Sequence, residues 1–328
     1  MAKEQIDISP ICKRYKIRTI KITPKTDYYL IQTNRGTKEM RVWPRVDYMR
    51  WSFGWREQMA RQGFRNVERF IRTKDSKPYV VSNKKGYSLT DHYSAAEPIA
   101  YTIDNMMECG RMIARMHQAQ QAQATQIGGE LLKREQSHAQ EVMVQTKKIL
   151  EQWERESNFK QRRSRWSSLF PSILERMERS AVLIKSVSLP EEILAASHKE
   201  LTRKNWVMVD NKLFLRGFYK TSLTIQHKDT ASFLQEIALD GGDPALVDAF
   251  LDGYEEEKTL SYEEFRLLLS FMVYPQELWS NLEKVLQVNI KEDNQVAEDI
   301  KQSVMRQREL DYHLQRLAKR AERGRQPS

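Results

Sequence analysis

The chain has 328 residues, 40% of them hydrophobic and 30% charged, and its 54 Lys and Arg against 44 Asp and Glu give a formal net charge of +10. This apolar content excludes a wholly disordered chain, and the length predicts about two domains. The apolar runs are too short to span a bilayer, and the polar first residues predict no secretory signal. Two cysteines cannot form a disulfide framework and suit a reducing compartment.

The first part of the chain has the pattern of a small antiparallel sheet. Residues 17–43 predict three short strands, because β-branched and aromatic residues alternate there with turn signals. A helix is predicted over 49–63. Three more strands are predicted after it, the first at 67–73. We therefore expect residues 1–95 to form a sheet domain with one helix.

The pattern changes to a helical period near residue 98. Further helices are predicted over 129–158 and 167–186, and an apparent β-hairpin over 206–215 interrupts them. Strands segregated from helices indicate an α+β fold. We therefore expect residues 96–300 to form a mainly helical second domain.

Residues 301–328 form a basic tail, with eight Lys and Arg against three Asp and Glu. One interpretation is a solvated helix end. The other is a docking arm, because four apolar residues follow a helical spacing: Leu310, Leu314, Leu317 and Ala321. A second basic run lies at 160–166. No helix-turn-helix, zinc-finger or RNA-binding signature accompanies either run, so we expect no nucleic-acid partner.

Searches for common catalytic motifs find none. The chain has no phosphate-binding P-loop, no dinucleotide fingerprint and no zinc-protease helix motif. Its six histidines are scattered without the spacing of metal ligands. These motifs therefore indicate no enzyme class and no metal site.

One segment carries a stronger pattern. It runs from His198-Lys199-Glu200 through Asn205 and a hairpin to Arg216-Gly217-Phe218-Tyr219 and then Asp229. This order resembles the catalytic segment of the aminoglycoside phosphotransferase-like, or choline-kinase-like, branch of the protein-kinase fold. More specifically, the chain resembles the CotS-type spore coat proteins in the stretches 63–80, 111–119 and 267–282. The resemblance covers about residues 15–290 and implies a two-lobed kinase-like fold, with a small antiparallel-sheet lobe and a mainly helical lobe.

The resemblance also implies roles for individual residues. Arg41 matches the strand lysine that holds the nucleotide phosphates, and Glu200 matches the catalytic aspartate. Asn205 matches a magnesium ligand, and Gly217 stands where the main magnesium-binding aspartate is expected. His198 and Asp229 match positions that support the catalytic loop.

Three of these four chemical positions are altered. Arginine does not replace lysine at a fitted site. The extra methylene of Glu200 moves its carboxylate by about 1.5 Å. Gly217 offers no side-chain oxygen for magnesium, and no acidic residue lies between Asp210 and Asp229. We therefore expect no metal site and no cofactor, with at most weak Mg-dependent ATP binding. If the register is displaced by a few positions, Arg41 and Glu200 are ordinary surface residues.

The resemblance and the altered positions together predict a pseudokinase that acts as a structural or interaction protein of the spore coat. It would be made in the mother-cell cytoplasm, assemble on the coat with other coat proteins and bind no membrane, with its oligomeric state left open. The alternatives are an atypical small-molecule kinase that uses Glu200 as its base, and a nucleotide- or metabolite-binding module without turnover.

Overall fold

The computed structural model describes residues 6–93, 98–119, 128–155, 170–188, 196–209, 212–274, 276–287 and 294–323. The chain divides into two compact units. The first, here called the sheet unit, comprises Met1–Ile99 and Arg203–Thr221, and the second, the helical unit, comprises Ala100–Thr202 and Ser222–Ser328. The antiparallel sheet near the N-terminus and the mostly helical remainder confirm the predicted α+β class.

The described part of the chain contains nine strands and ten α-helices. The strands are β1 (Thr19–Pro24), β2 (Tyr29–Thr33), β3 (Gly36–Trp43), β4 (Val80–Ser82), β5 (Lys85–Asp91), β6 (Ala196–Ser197), β7 (Trp206–Val209), β8 (Lys212–Leu215) and β9 (Ser222–Leu223). The helices are α1 (Ser9–Cys12), α2 (Val46–Arg61), α3 (Ile103–Gln118), α4 (Gly128–Arg155), α5 (Phe170–Ser186), α6 (His227–Glu236), α7 (Pro244–Glu257), α8 (Tyr262–Val273), α9 (Gln276–Gln287) and α10 (Asn294–Arg323).

The sheet unit is built on five antiparallel strands in the order β1-β2-β3-β5-β4. One face of this sheet buries a cluster that includes Tyr15, Ile31, Met40 and Leu89. Because side chains alternate along a strand, the neighbours of Met40 in β3 point to the other face. That alternation places Arg41 on the face opposite this cluster.

Residues 67–73 do not form the predicted strand. Val67 makes an isolated bridge to Leu215 and Thr73 makes another to Tyr15, while the N–H of Ile71 donates to the carbonyl of Leu89 over 2.7 Å. A regular ladder needs consecutive partners on one neighbouring strand, and this stretch changes its partner every few residues. The prediction was wrong because the β-type composition of residues 67–73 does not reveal which segments they bond to.

The helical unit contains a close contact between α3 and α7. A Cβ atom placed on Gly110 would lie 2.0 Å from the carbonyl oxygen of Phe250, and one on Gly253 would lie 2.0 Å from that of Met107. No real Cβ atom tolerates such distances, so only glycine allows the two backbones to approach this closely. This pair of helices forms the centre of the unit's core.

Residues 301–323 of the basic tail form most of α10. Its apolar stripe is buried, with Leu310, Leu314 and Leu317 each at most 4% exposed. Arg320 pairs with Asp252 over 2.7 Å and also contacts Glu255. The stripe that the sequence left open as a docking face therefore packs within its own unit. The basic run at 160–166 lies outside the described residues.

Among the helices of the described ranges, none combines the length and the apolar character needed to cross a bilayer.

Candidate functional site

Arg41 lies in β3 opposite Ser88 of β5. Its guanidinium pairs with Glu39 over 2.6 Å, and its Cζ lies 3.1 Å from the centre of the Tyr219 ring and 5.2 Å from that of Tyr28. The side chains of Arg41 and Glu39 are each 13% exposed. The positive charge is therefore enclosed by a carboxylate and two aromatic rings of its own unit.

Tyr219 is itself largely enclosed. Burial raises the pKa of its phenol to about 12, although the nearby Arg41 charge acts in the opposite direction. The hydroxyl is therefore protonated at neutral pH, and the ring meets Arg41 as a neutral aromatic face.

Gly217 and the residue after it are fixed by hydrogen bonds. The N–H of Gly217 donates to Oε2 of Glu68 over 3.2 Å. The carbonyl of Phe218 accepts from Oγ of Ser52 over 3.1 Å and from Oγ1 of Thr221 over 3.2 Å. Gly217 has a φ of +91°, which side-chain-bearing residues rarely adopt. Where the resemblance expects a metal ligand, the chain has a backbone turn held by a carboxylate.

A buried ion pair supports this turn. Arg56 of α2 lies 3.6 Å from the carboxylate of Glu68, and their side chains are only 3% and 7% exposed. The guanidinium also donates to the carbonyls of Ser52 and Glu68, each over 3.3 Å, and lies 4.1 Å from the centre of the Phe70 ring. Burial lowers the pKa of Arg56 to about 10, so it stays charged at neutral pH.

Sequence reasoning missed the Arg56–Glu68 pair. A signal was present, because Arg56 falls at a buried helical spacing between Ser52 and Met59 on α2. A charged residue at an apolar position implies a buried partner. The spacing does not say which carboxylate that partner is.

Asn205 also lies in the sheet unit, at the start of the β7–β8 hairpin. Its side-chain amide donates to the carbonyl of Arg216 over 3.1 Å, and the N–H of Arg216 donates to its carbonyl over 3.0 Å. The Arg216 guanidinium donates to the carbonyls of Lys204 and Tyr93. The predicted magnesium ligand thus helps to close the base of a hairpin.

In the helical unit, Asp229 holds the loop that contains the predicted base. Its carboxylate accepts from the N–H of His198 and from that of Lys199, the latter over 2.9 Å. The short strand pair β6–β9, with Ser197 opposite Ser222, anchors the same loop. Burial raises the pKa of Asp229 to about 6, although these hydrogen bonds favour its ionised form.

The loop then turns at Lys199, which has a φ of +65°. A lysine adopts this conformation at a cost of about 1 kcal/mol. Glu200 follows and is partly exposed. Glu200 belongs to the helical unit, whereas Arg41, Asn205 and Gly217 belong to the sheet unit.

These residues do not fit a magnesium-bound nucleotide. Arg41 is already paired with Glu39, and Gly217 supplies no side-chain oxygen. Within the described part of the chain, no group of three or more His, Cys, Asp or Glu residues could hold a metal ion. Magnesium in phosphoryl transfer depends on a carboxylate at the position that Gly217 occupies here.

The chain is similar to known proteins in structure and matches none of the family models. No curated protein matches it in sequence. An aminoglycoside phosphotransferase from Alicyclobacillus acidocaldarius superimposes with a TM-score of 0.82 at 14% identity, covering 98% of this chain and 99% of that one. A spectinomycin phosphotransferase in complex with ADP and spectinomycin gives a TM-score of 0.61 at 12% identity, covering 92% and 96%.

A third solved structure belongs to the choline kinase group. A choline/ethanolamine kinase family protein from Mesorhizobium loti gives a TM-score of 0.54 at 11% identity, covering 94% of this chain and 95% of that one. Identities this low establish the fold and leave the activity open. The chain therefore has the protein-kinase-like fold of the small-molecule phosphotransferases, as its sequence predicted.

Proposed function

We propose that this protein is a pseudokinase, a kinase-like fold that has lost phosphoryl transfer and acts as a structural or interaction protein. The observation that carries the proposal is the position of Arg41. Its guanidinium contacts the ring of Tyr219 at 3.1 Å and the carboxylate of Glu39 at 2.6 Å. A nucleotide phosphate would have to compete with both contacts for this charge.

The turn at Gly217 supports the same conclusion. Its N–H binds Glu68, and Glu68 in turn binds Arg56. The carboxylate of Glu68, which is bonded to this turn, therefore also serves a buried ion pair. A carboxylate so engaged is a poor magnesium ligand, because moving it would leave Arg56 buried and unpaired.

The helical unit supports the structural half of the proposal. Asp229 still holds His198 and Lys199 through their backbone N–H groups. Such contacts stabilise a loop whether or not it performs chemistry. A protein that keeps this support while its phosphate-handling positions change fits the role of a scaffold.

The spore-coat assignment rests on the resemblance to CotS-type proteins. On this proposal the chain is made in the mother-cell cytoplasm and assembles on the coat through contacts with other coat proteins. Immunodetection of the protein in coat extracts of purified spores tests it, and detection only in the mother-cell soluble fraction would contradict it.

The alternative from another class is a working small-molecule kinase with Glu200 as its base. It is favoured by structural neighbours that carry nucleotides, such as the spectinomycin phosphotransferase with ADP and an amicoumacin kinase with AMP-PNP and Ca²⁺. A third possibility is a module that binds a nucleotide or metabolite without turnover.

Calorimetric titration of the full chain with ATP, with and without magnesium, separates these three functions. The pseudokinase proposal expects no heat of binding, or only weak binding, in both titrations. Binding that needs no magnesium indicates the non-catalytic module. Tight magnesium-dependent binding contradicts the proposal and calls for a substrate screen.

A repair variant tests the assigned positions. Arg41→Lys, Glu200→Asp and Gly217→Asp together restore the residue types that the resemblance expects, so ATP affinity should rise. The matched control replaces Gly217→Asp by Gly217→Asn, which carries the same backbone cost of about 1 kcal/mol at positive φ but no charge. Equal ATP affinity in the two variants would show that the register is wrong.

A further inference from the structure

The net positive charge of the chain is concentrated in one unit. The sheet unit holds 26 Lys and Arg against 11 Asp and Glu, a net charge of +15, whereas the helical unit holds 28 against 33, a net charge of −5. The basic part of α10, residues 301–323, belongs to the negative unit, and its Arg306, Arg316 and Arg320 pair with acidic residues there. The excess positive charge therefore lies in the sheet unit.

Residues 13–18 bring several of these charges together, because they run between two turns. At one end the N–H of Lys74 donates to the carbonyl of Arg14 over 2.8 Å. At the other end the N–H of Asn34 donates to the carbonyl of Arg18 over 3.1 Å, and Oδ1 of Asn34 accepts from the N–H of Arg18. The segment and both turns are therefore adjacent in the fold, and their exposed bases lie near one another.

We name this surface the basic band. Its members are exposed bases that form no ion pair among the described residues: Lys13, Lys16, Arg18, Arg35, Lys74 and Lys77. The acidic residue within the band, Asp75, is paired with Arg14. The six residues from 13 to 18 span at most about 20 Å.

This charge density matches a polyanion of closely spaced phosphates. Duplex DNA carries one negative charge per about 1.7 Å of its axis, so a stretch as long as the band presents about twelve phosphates. Separate lysine and arginine side chains bind such a backbone as point charges and gain affinity by releasing its counterions.

The composition of the band argues against a protein partner. Protein interfaces usually have an apolar or aromatic centre. The aromatic residue of this segment, Tyr15, is fully buried, and the exposed Ile20 beside the band is a single side chain. Single-stranded nucleic acid also needs exposed rings for base stacking. Duplex backbones need only the charges.

We propose that the basic band binds the phosphate backbone of duplex nucleic acid without reading its sequence. The expectation of no nucleic-acid partner rested on missing sequence-reading motifs, and backbone binding requires none of them. The inference stands apart from the pseudokinase proposal, because it uses neither Arg41 nor the turn at Gly217.

Fluorescence anisotropy of the full chain with a mixed-sequence DNA duplex of about 20 base pairs tests this inference over a range of salt concentrations. If all six bases contact phosphates, the affinity should fall about 1,000-fold between about 50 and 200 mM salt. A second duplex of unrelated sequence should bind equally well. No binding at about 50 mM salt, or a preference for one sequence, would overturn the proposal.

A variant and a matched control locate the surface. Replacing Lys16, Arg18, Arg35 and Lys74 by Gln should leave about two contacts, so the same salt range should change the affinity only about tenfold. The control replaces four exposed bases of the helical unit by Gln: Lys133, Lys185, Arg308 and Lys319. Both variants lose four charges, so an equal loss of affinity in the two would rule out the band.

Competition distinguishes the remaining polyanions. Polyglutamate and vesicles of anionic phospholipid are added to the labelled complex at matched negative charge. We expect unlabelled duplex to compete at least tenfold more effectively than either. If polyglutamate competes equally well, the band serves an acidic protein and the proposal is wrong. If the vesicles do so, it serves a membrane surface and the proposal is equally wrong.

Discussion

The two units treat the kinase-like segment differently. In the helical unit, Asp229 still holds the backbone of His198 and Lys199. In the sheet unit, the positions that resemble phosphate and metal ligands have new partners inside the fold, Arg41 with Tyr219 and Gly217 with Glu68. Contacts that fold a loop and contacts that serve chemistry can therefore change independently.

The largest expected effect comes from breaking the buried pair of the sheet unit. Arg56→Met leaves Glu68 buried without its partner and should lower the free energy of unfolding by about 4 kcal/mol. The double variant Arg56→Met/Glu68→Leu removes both charges and should recover most of this loss. Urea unfolding of the three proteins measures the difference. A double variant as unstable as the single one would show that the loss does not come from the unpaired charge of Glu68.

The next largest effect is the pH dependence of stability that Asp229 gives to the helical unit. Because burial raises the folded-state pKa of Asp229 to about 6, the folded chain holds this proton more tightly than the unfolded chain does. The protonated carboxyl of Asp229 therefore contributes about 3 kcal/mol to the free energy of unfolding. This contribution is fully present below pH 4 and is lost as the pH rises through 6. Urea unfolding of the wild type and Asp229→Asn between pH 4 and 7 should give diverging profiles. Parallel profiles would mean that Asp229 titrates normally.

A smaller effect is expected from the contact between Arg41 and Tyr219. A double-mutant cycle with Arg41→Met and Tyr219→Leu should give a coupling energy of about 1–2 kcal/mol, the range of a desolvated cation–π contact. Thermal unfolding of the four proteins measures it. A coupling near zero would show that Arg41 is available for other partners and would weaken the comparison between the units.

The smallest expected effect on stability concerns the basic part of α10, residues 301–323. Arg320→Gln removes contacts with Asp252 and Glu255 at a partly exposed site, so we expect a loss of about 1 kcal/mol or less. High salt should remove most of this difference. Arg308→Gln is the control, because Arg308 is exposed and forms no ion pair among the described residues. Equal stability of the two variants would mean that the Arg320 cluster contributes nothing.

The elements that the sequence predicted well are those with a clear period. The helix at Val46–Arg61 and the β7–β8 hairpin follow from local spacing and turn residues. Residues 67–73 were misjudged because their composition is that of a strand while their partners lie on separate segments. Local pattern specifies an element but not the distant neighbours that complete it.

The candidate site divides in the same way. The residue types at positions 41, 200 and 217 were enough to predict impaired phosphoryl transfer. They could not predict that Tyr219 covers Arg41 or that Glu68 joins Arg56 to Gly217, because these partners are far apart in the chain. The sequence shows only the net charge of the chain. It does not show that the bases of the band lie together, because the turns that carry them belong to separate segments.

The sheet unit is assembled from two stretches, Met1–Ile99 and Arg203–Thr221, with about a hundred residues of the helical unit between them. Leu215 pairs with Asn66 and Glu68, so the early stretch lacks these partners until residue 215 has been synthesised. The five strands of the sheet all lie within the early stretch, whereas residues 66–68 lack these partners while the ribosome adds the intervening helices. Expression of residues 1–99 alone would reproduce that state and leave Glu68 and Arg56 without the turn that they hold.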